Sequence, residues 1–99
     1  MTRFTVYRMR SDGQLAIDLQ SNVLEALPSR MMAPLYTARN MSWSISRLNP
    51  RFMIGGEAHV LATQRMAAIP ISEIGDAVIS LEAEADDITA ALDFLFQGF

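Results

Sequence analysis

Alternation of apolar and polar residues predicts short β-strands along the first seventy residues. Residues 3–9 are rich in β-branched and aromatic side chains, and residues 15–19 place every second side chain on one apolar face. Gly55 and Gly56 separate two further strand-like segments and supply the positive φ angles that a tight hairpin turn requires. Short strands at this spacing are typical of a small barrel or sandwich.

Two prolines fall within strand-like segments. Residues 31–36 contain Pro34, and residues 66–71 contain Pro70. Because proline has no amide hydrogen to donate to a sheet, we expect Pro34 at an edge, at a bulge or at a strand end. Pro70 is expected to end the strand that precedes it.

Near the C-terminus the spacing between apolar residues increases from two residues, as in a strand, to three or four residues, as in a helix. Six apolar residues fall on one stripe of a helix predicted over about residues 84–97: Ala85, Ile88, Leu92, Leu95, Phe96 and Phe99. Acidic residues crowd the start of this helix, where the helix dipole favours anions. Gly98 stands where a C-terminal cap belongs. The pattern therefore predicts a mainly β fold, with a barrel over about residues 1–75 and one C-terminal α-helix.

Composition suits one packed domain over residues 1–99, since 51% of the chain is hydrophobic and 19% is charged. The chain contains no cysteine and no lysine, which excludes disulfides, thiolate catalysis, a P-loop lysine and a Schiff-base lysine. No apolar run approaches the roughly 18 residues of a membrane span, and the first residues lack the apolar region of a signal peptide. We therefore expect a cytoplasmic protein with no membrane partner.

Charge is divided unevenly along the chain. Residues 1–70 carry eight arginines and four acidic residues, a net charge of +4, whereas residues 71–99 carry seven acidic residues and no cation, a net charge of −7. With a pI near 4.9 and no cluster of arginines, this pattern disfavours simple binding of a phosphate backbone, and we expect no direct sequence-specific nucleic-acid binding. Two interpretations of these charges stay open. The charges form an ordinary solvated surface of mixed sign, or the acidic end binds a partner that carries arginines.

Residues for catalysis or metal binding are few. His59 is the one histidine, so no second histidine or cysteine completes a metal site, and we expect either a surface residue or a strand residue with its polar groups satisfied. The sequence contains neither a nucleophile elbow nor the spacing of a phosphate-binding loop. Trp43, in an irregular polar segment, is expected to pack over the barrel. The residues thus form no recognisable catalytic constellation, and we expect no cofactor or metal.

The C-terminal end carries more apolar surface than one helix stripe can bury. Five large apolar side chains fall within eight residues: Leu92, Phe94, Leu95, Phe96 and Phe99. Phe94 lies about 200° from Leu92 around the helix axis, so the barrel cannot cover both. Either a second copy of the chain or a different protein is expected to cover the surplus.

Several segments together resemble the CcdB family, the toxins of toxin–antitoxin modules. The similarity extends over nearly the whole chain, and no single segment is distinctive by itself. The matching segments are residues 4–7, 18–24, 30–35, 54–55, 66–75 and 87–99. Their order, their spacing and the matching total length carry the resemblance.

The resemblance implies an SH3-like barrel of short antiparallel strands with a C-terminal helix, the fold of CcdB and MazF toxins, assembled as a homodimer. Members of the family bind the GyrA subunit of DNA gyrase and trap its cleaved complex with DNA, and they are not enzymes. A cognate CcdA-like antitoxin neutralises them through a disordered C-terminal segment.

The resemblance also implies roles for individual residues. Those expected to bind gyrase are the last three: Gln97, Gly98 and Phe99. Those expected to contact the antitoxin or to contribute to toxicity are Val23, Leu24, Asp93 and Phe96. The chain differs from the best-known members at two of these positions, with Gln97 in place of a tryptophan and Asp93 in place of an amide.

Two alternative functions remain open. The related MazF and Kid toxins are endoribonucleases. RNA cleavage requires a positioned base and cationic stabilisation, and the groups here that could supply them are Arg30, Arg65, His59 and a carboxylate. The acidic pI and the acidic C-terminal end disfavour that alternative. A non-toxic relative that still binds the antitoxin is the other alternative.

Overall fold

The computed structural model describes residues 1–41 and 43–99, and in this part of the chain it contains seven strands and one α-helix. The strands β1 to β7 are Thr5–Met9, Leu15–Asp18, Ser29–Thr37, Arg51–Ile54, Glu57–Leu61, Ala67–Pro70 and Ile74–Ser80. The helix α1 is Ala85–Gln97, and short 3-10 turns cover Asn22–Leu24, Thr63–Arg65, Ile71–Glu73 and Glu82–Glu84. The pairs between these strands are antiparallel, so the predicted mainly β fold with a C-terminal helix is confirmed.

Strand β3 is the centre of the sheet. β2 pairs along one edge of β3, with β1 and β7 beyond it, while β5 and β6 share the other edge and β4 lies outside β5. The Thr63–Arg65 turn separates β5 from β6, so these two strands pair with different halves of β3. The resulting sheet is a curled half-barrel.

Pro34 lies inside this central strand, so the expectation of an edge, a bulge or a strand end is wrong. It pairs with Ala16 of β2, and its carbonyl accepts a hydrogen bond of 2.9 Å from the amide of Ala62. Because the amide and carbonyl of one strand residue face the same neighbour, the donor that Pro34 lacks faces the break between β5 and β6. A proline is tolerated there because the partner strand is itself interrupted.

Helix α1 packs against the larger of two apolar clusters. Ile88 is fully buried in it, and Ala85 and Leu92 are partly buried against it. The other buried members of this cluster come from the sheet and its connections: Phe4, Val6, Ile17, Leu19, Ala33, Leu35, Phe52, Ile54, Leu61 and Leu81. The predicted apolar stripe therefore anchors the first three turns of the helix.

The sequence pattern does not predict β7. Ile74 is buried, but the rest of the strand is half-buried or exposed, so no alternation marks it. Its pairing with β1 includes register shifts. A Cβ atom on Gly75 would lie 2.5 Å from the carbonyl oxygen of Arg8, so the close approach of the two strands requires glycine.

Candidate functional site

The three residues expected to bind gyrase form the exposed end of α1. Gln97 is the last helical residue, and Gly98 ends the helix with a φ of 80° and an amide that donates to the carbonyl of Phe94 at 2.9 Å. Glycine adopts this left-handed conformation without steric cost, which confirms Gly98 as the predicted cap. Phe99 follows with 74% of its surface exposed.

Two residues of the last helical turns extend this exposed end. Phe96 is 70% exposed, and Asp93 is exposed one turn earlier. Residues three apart share one side of a helix, so Asp93 and Phe96 are neighbours. We define the terminal surface by five residues: Asp93, Phe96, Gln97, Gly98 and Phe99.

Phe94 is held within the protein instead of joining this surface. It is half-buried, and the guanidinium carbon of Arg47 lies 4.6 Å from the centroid of its ring. Leu92 and Leu95 are half-buried as well. The surplus of apolar surface that the sequence predicts at the helix end is therefore greatest at Phe96 and Phe99.

Val23 and Leu24 lie on the Asn22–Leu24 turn between β2 and β3. Their side chains are 87% and 49% exposed. The side chain of Ser21 accepts a hydrogen bond from the amide of Val23, and its carbonyl accepts one of 3.0 Å from the amide of Leu24. Among the residues that the structure describes, no hydrogen bond joins this turn to α1, so the candidate residues form two groups on separate elements.

A buried ion pair joins the two strands that flank the Asn22–Leu24 turn. Arg30 of β3 donates through Nε, at 3.0 Å, and through Nη2 to Oδ2 of Asp18 at the end of β2. Both side chains are fully buried. The other carboxylate oxygen of Asp18 accepts a hydrogen bond of 3.0 Å from the amide of Gln20.

Gln20 connects this ion pair to the turn. Its side-chain Nε2 donates to the carbonyl of Leu24 at 3.0 Å, and its Oε1 accepts from the amide of Met31 at 3.1 Å. On the other side, the amide of Arg3 donates to Oδ1 of Asn22 at 2.8 Å. The turn that presents Val23 is therefore braced by side chains, and sequence reasoning missed these bracing residues.

The groups considered for RNA cleavage do not form a catalytic set. Arg30 is buried in the ion pair with Asp18. His59 is 8% exposed, and its Nδ1 lies 2.9 Å from the carbonyl oxygen of Glu57, which confirms the expected satisfied strand residue. Arg65 lies at the surface and donates to the hydroxyl of Tyr36 at 3.2 Å.

Residues 1–41 and 43–99 contain neither a cluster of metal ligands nor a membrane-spanning helix. No three side chains of the metal-ligating types lie together within this described part. Its one α-helix is too short and too polar to cross a membrane.

These features define a small half-barrel protein that presents apolar side chains at a helix end and at a braced turn. Residues 3–98 match the model of the CcdB protein family, which is essentially the whole chain. The protein belongs to the CcdB family. The resemblance seen in the sequence is thus confirmed, and membership makes it a toxin of the toxin–antitoxin type. Members of this family poison gyrase and are not themselves catalytic enzymes. They pair with an antitoxin.

Proposed function

We propose that this protein poisons DNA gyrase by binding its GyrA subunit through the terminal surface and stabilising the complex in which the DNA is cleaved. The observation that carries this proposal is the exposure of Phe96 and Phe99, at 70% and 74%. Large aromatic side chains exposed together at one end mark a partner contact. Poisoning of this kind needs no acid, base or metal, because tighter binding to one conformation of gyrase is sufficient.

We further propose that the acting species is a homodimer. Two copies related by a two-fold axis present two terminal surfaces, which matches the two-fold symmetry of the gyrase target. Sedimentation across a range of concentrations tests it, and a monomer at high concentration contradicts it.

The antitoxin is proposed to bind at the Asn22–Leu24 turn. A disordered segment that folds on binding lays apolar side chains on a surface of this kind, and Val23 is the most exposed large apolar residue of the turn. Acidic residues in the Glu82–Glu84 turn and in the first turn of α1 suit arginines in the same segment: Glu82, Glu84, Asp86 and Asp87.

Removal of Gln97, Gly98 and Phe99 tests the terminal surface. We expect growth inhibition to be abolished and the fold to be retained, because the helix is anchored upstream by Ile88 and Ala91. The melting temperature should fall by no more than about 8 °C, because losing one helix cap costs about 1 kcal/mol and this lowers the melting temperature of so small a domain by about 4 to 8 °C. Met53→Ala is the matched control, since Met53 is 62% exposed on β4 and its loss should leave toxicity unchanged.

Purified protein distinguishes gyrase poisoning from the alternative functions. Incubation with gyrase, relaxed plasmid and ATP should give linear DNA after denaturation of the complex, whereas cellular RNA should stay intact. Toxicity of the truncated variant would contradict the role of the terminal surface. Cleavage of the RNA would favour an endoribonuclease, and harmless overexpression without an antitoxin would favour a non-toxic relative.

A further inference from the structure

A cleft lies beside the C-terminal half of β3, with a volume of about 420 Å³. Its lining residues are Tyr36, Asn40, Met41, Trp43, Gln64 and Arg65. Trp43 is 65% exposed, so the expectation that it packs over the barrel is wrong. Because helix α1 packs against the larger apolar cluster, Trp43 is not needed to cover it. The indole of Trp43 lines the cleft.

Arg65 is held in this cleft by Tyr36. Its guanidinium carbon lies 5.5 Å from the centroid of the phenol ring, and its Nη1 donates to the hydroxyl at 3.2 Å. No acidic side chain lines the cleft, and the ion pair of Arg30 with Asp18 is the only one within residues 1–41 and 43–99. The cleft therefore combines aromatic faces with a positive charge that no carboxylate neutralises.

The amide of Gln64 is fixed at the same cleft by a buried residue. Asn49, which is 1% exposed, donates through Nδ2 to Oε1 of Gln64 at 2.7 Å and to the carbonyl of Leu61 at 2.9 Å. The oxygen of the Gln64 side chain is thus engaged, and its two amide hydrogens are oriented by that bond. A positioned side-chain amide is the type of group that pairs with the edge of a nucleobase.

Among the described residues beside the cleft, β3 is paired along β5 and, up to Leu35, along β2. Leu35 pairs with Leu15 on one side and with Leu61 on the other, and Tyr36 pairs with Val60. Little strand edge is therefore left here for a peptide to extend the sheet. A ligand in the cleft is therefore bound mainly by side chains: an indole, a phenol, a guanidinium and amides. Proteins use aromatic rings of this kind to stack bases and guanidinium groups to bind phosphate.

We propose that this cleft binds a nucleotide, with the base stacked on Trp43 and the phosphate bound by Arg65. A free nucleotide and an unpaired strand present the same chemistry, so either source fits the cleft. Stacking and one phosphate contact give little sequence preference. The proposal is independent of gyrase poisoning because it uses none of the residues of the terminal surface.

The fluorescence of Trp43 tests the proposal directly, since Trp43 is the one tryptophan of the chain. The full-length protein is titrated with adenosine 5′-monophosphate, with adenosine and with a short single-stranded oligodeoxyadenylate, with excitation at the red edge where nucleotides do not absorb. We expect saturable quenching by the monophosphate and binding of adenosine weaker by about tenfold, since adenosine lacks the charged contact.

Two arginine variants separate the cleft from the general charge of the protein. Arg65→Gln should weaken binding of the monophosphate by about tenfold and leave adenosine nearly unchanged. Arg47→Gln is the matched control, because Arg47 also lies over an aromatic ring, that of Phe94, outside the cleft. Thermal melting checks the fold of both variants. The shift of the indole N–H resonance of Trp43 in the unmodified protein gives a second measurement that needs no variant.

The outcomes decide both the proposal and the source of the ligand. Tighter binding of the oligonucleotide than of the monophosphate identifies an unpaired strand as the ligand. Equal affinity for these two probes identifies a free nucleotide. Absence of saturable quenching and of an indole shift with either probe overturns the proposal. Equal weakening by the two arginine variants, or stronger quenching by an acidic peptide than by the monophosphate, also overturns it.

Discussion

The Asn22–Leu24 turn and the terminal surface both expose apolar side chains, but they are held in different ways. The turn is braced by Gln20, whose side chain bonds to the backbone of Leu24 within the turn and of Met31 beyond it, and the amide of Gln20 is itself bonded to the buried ion pair. The terminal surface is a helix end whose last hydrogen bond in the described residues is the one from the Gly98 amide.

This difference determines what each surface requires of a partner. A braced turn is already ordered before binding, so association loses little conformational entropy there. Phe99 lies beyond the helix cap with its side chain exposed, and binding restricts the rotation of that side chain at an entropic cost. Changes that weaken the brace should therefore reduce the stability of the whole protein, whereas changes at the helix end should reduce binding far more than stability.

The largest effect on stability is expected from Asp18→Asn. The substitution leaves the guanidinium of Arg30 buried without its counter-charge, which costs about 3 to 5 kcal/mol in comparable cases. The free energy of unfolding of a small domain is about 5 to 15 kcal/mol, so this loss is a large share of it. Urea unfolding followed by circular dichroism measures the difference.

A double variant shows whether charge or packing causes that loss. Asp18→Leu combined with Arg30→Met removes both charges, and apolar replacement of a buried pair is often neutral or stabilising. We expect it to be more stable than Asp18→Asn. If Asp18→Asn unfolds at the same urea concentration as the parent, the ion pair does not brace the turn and the comparison of the two surfaces fails.

Local patterns predicted much of the fold, because alternation and helical periodicity are properties of neighbouring residues. The hairpin at Gly55 and Gly56, the apolar stripe of α1 and the cap at Gly98 are all signals of this kind. β7 was missed because its position depends on pairing with β1, which is distant in sequence. Pro34 was placed wrongly because the break in its partner strand is a property of the assembled sheet.

The candidate site was predictable only in part, for the same reason. The resemblance and the surplus of apolar residues pointed to the helix end, where Phe96 and Phe99 are exposed. The brace was not predictable, because Asp18 and Arg30 are twelve residues apart and each alone resembles a surface charge. Gln20 acquires its role from backbone groups that only the folded chain brings to it.

A smaller effect is expected from Gln20→Ala, which removes the side-chain bonds to Leu24 and Met31. We expect a loss of about 1 to 2 kcal/mol of unfolding free energy. Amide hydrogen exchange should become faster in the Asn22–Leu24 turn, because its backbone is no longer held. Under the proposed function, affinity for the antitoxin should fall while the terminal surface still poisons gyrase.

Gln14→Ala is the matched control for this variant. The Nε2 of Gln14 donates to the carbonyls of Leu15 and Leu35 at 3.0 and 2.9 Å, beside the opposite end of β2. A similar loss of stability is expected, without faster exchange in the turn or weaker antitoxin binding. If the two variants weaken antitoxin binding equally, the effect of Gln20 is one of overall stability and not of positioning.

The smallest effect is expected at Glu73, which belongs to neither surface. Hydrogen bonds from Ser11, through its side chain and through its amide at 3.0 Å, hold the pKa of Glu73 below its ordinary value. A carboxylate whose pKa is lowered by folding stabilises the protein above its ordinary pKa, and this contribution is lost as the pH falls through the lowered value. Glu73→Gln should therefore reduce the melting temperature slightly at neutral pH and hardly at all in strong acid.

Ser11→Ala should act in the same direction as Glu73→Gln, because it removes one of the hydrogen bonds that lower the pKa of Glu73. The antitoxin affinity and the toxicity of both variants should stay at the parent level. Parallel melting profiles of the parent and Glu73→Gln over the acid range would show that this bond contributes nothing to folding. A loss of toxicity in either variant would show that the two surfaces are not as independent of the rest of the sheet as their hydrogen bonds indicate.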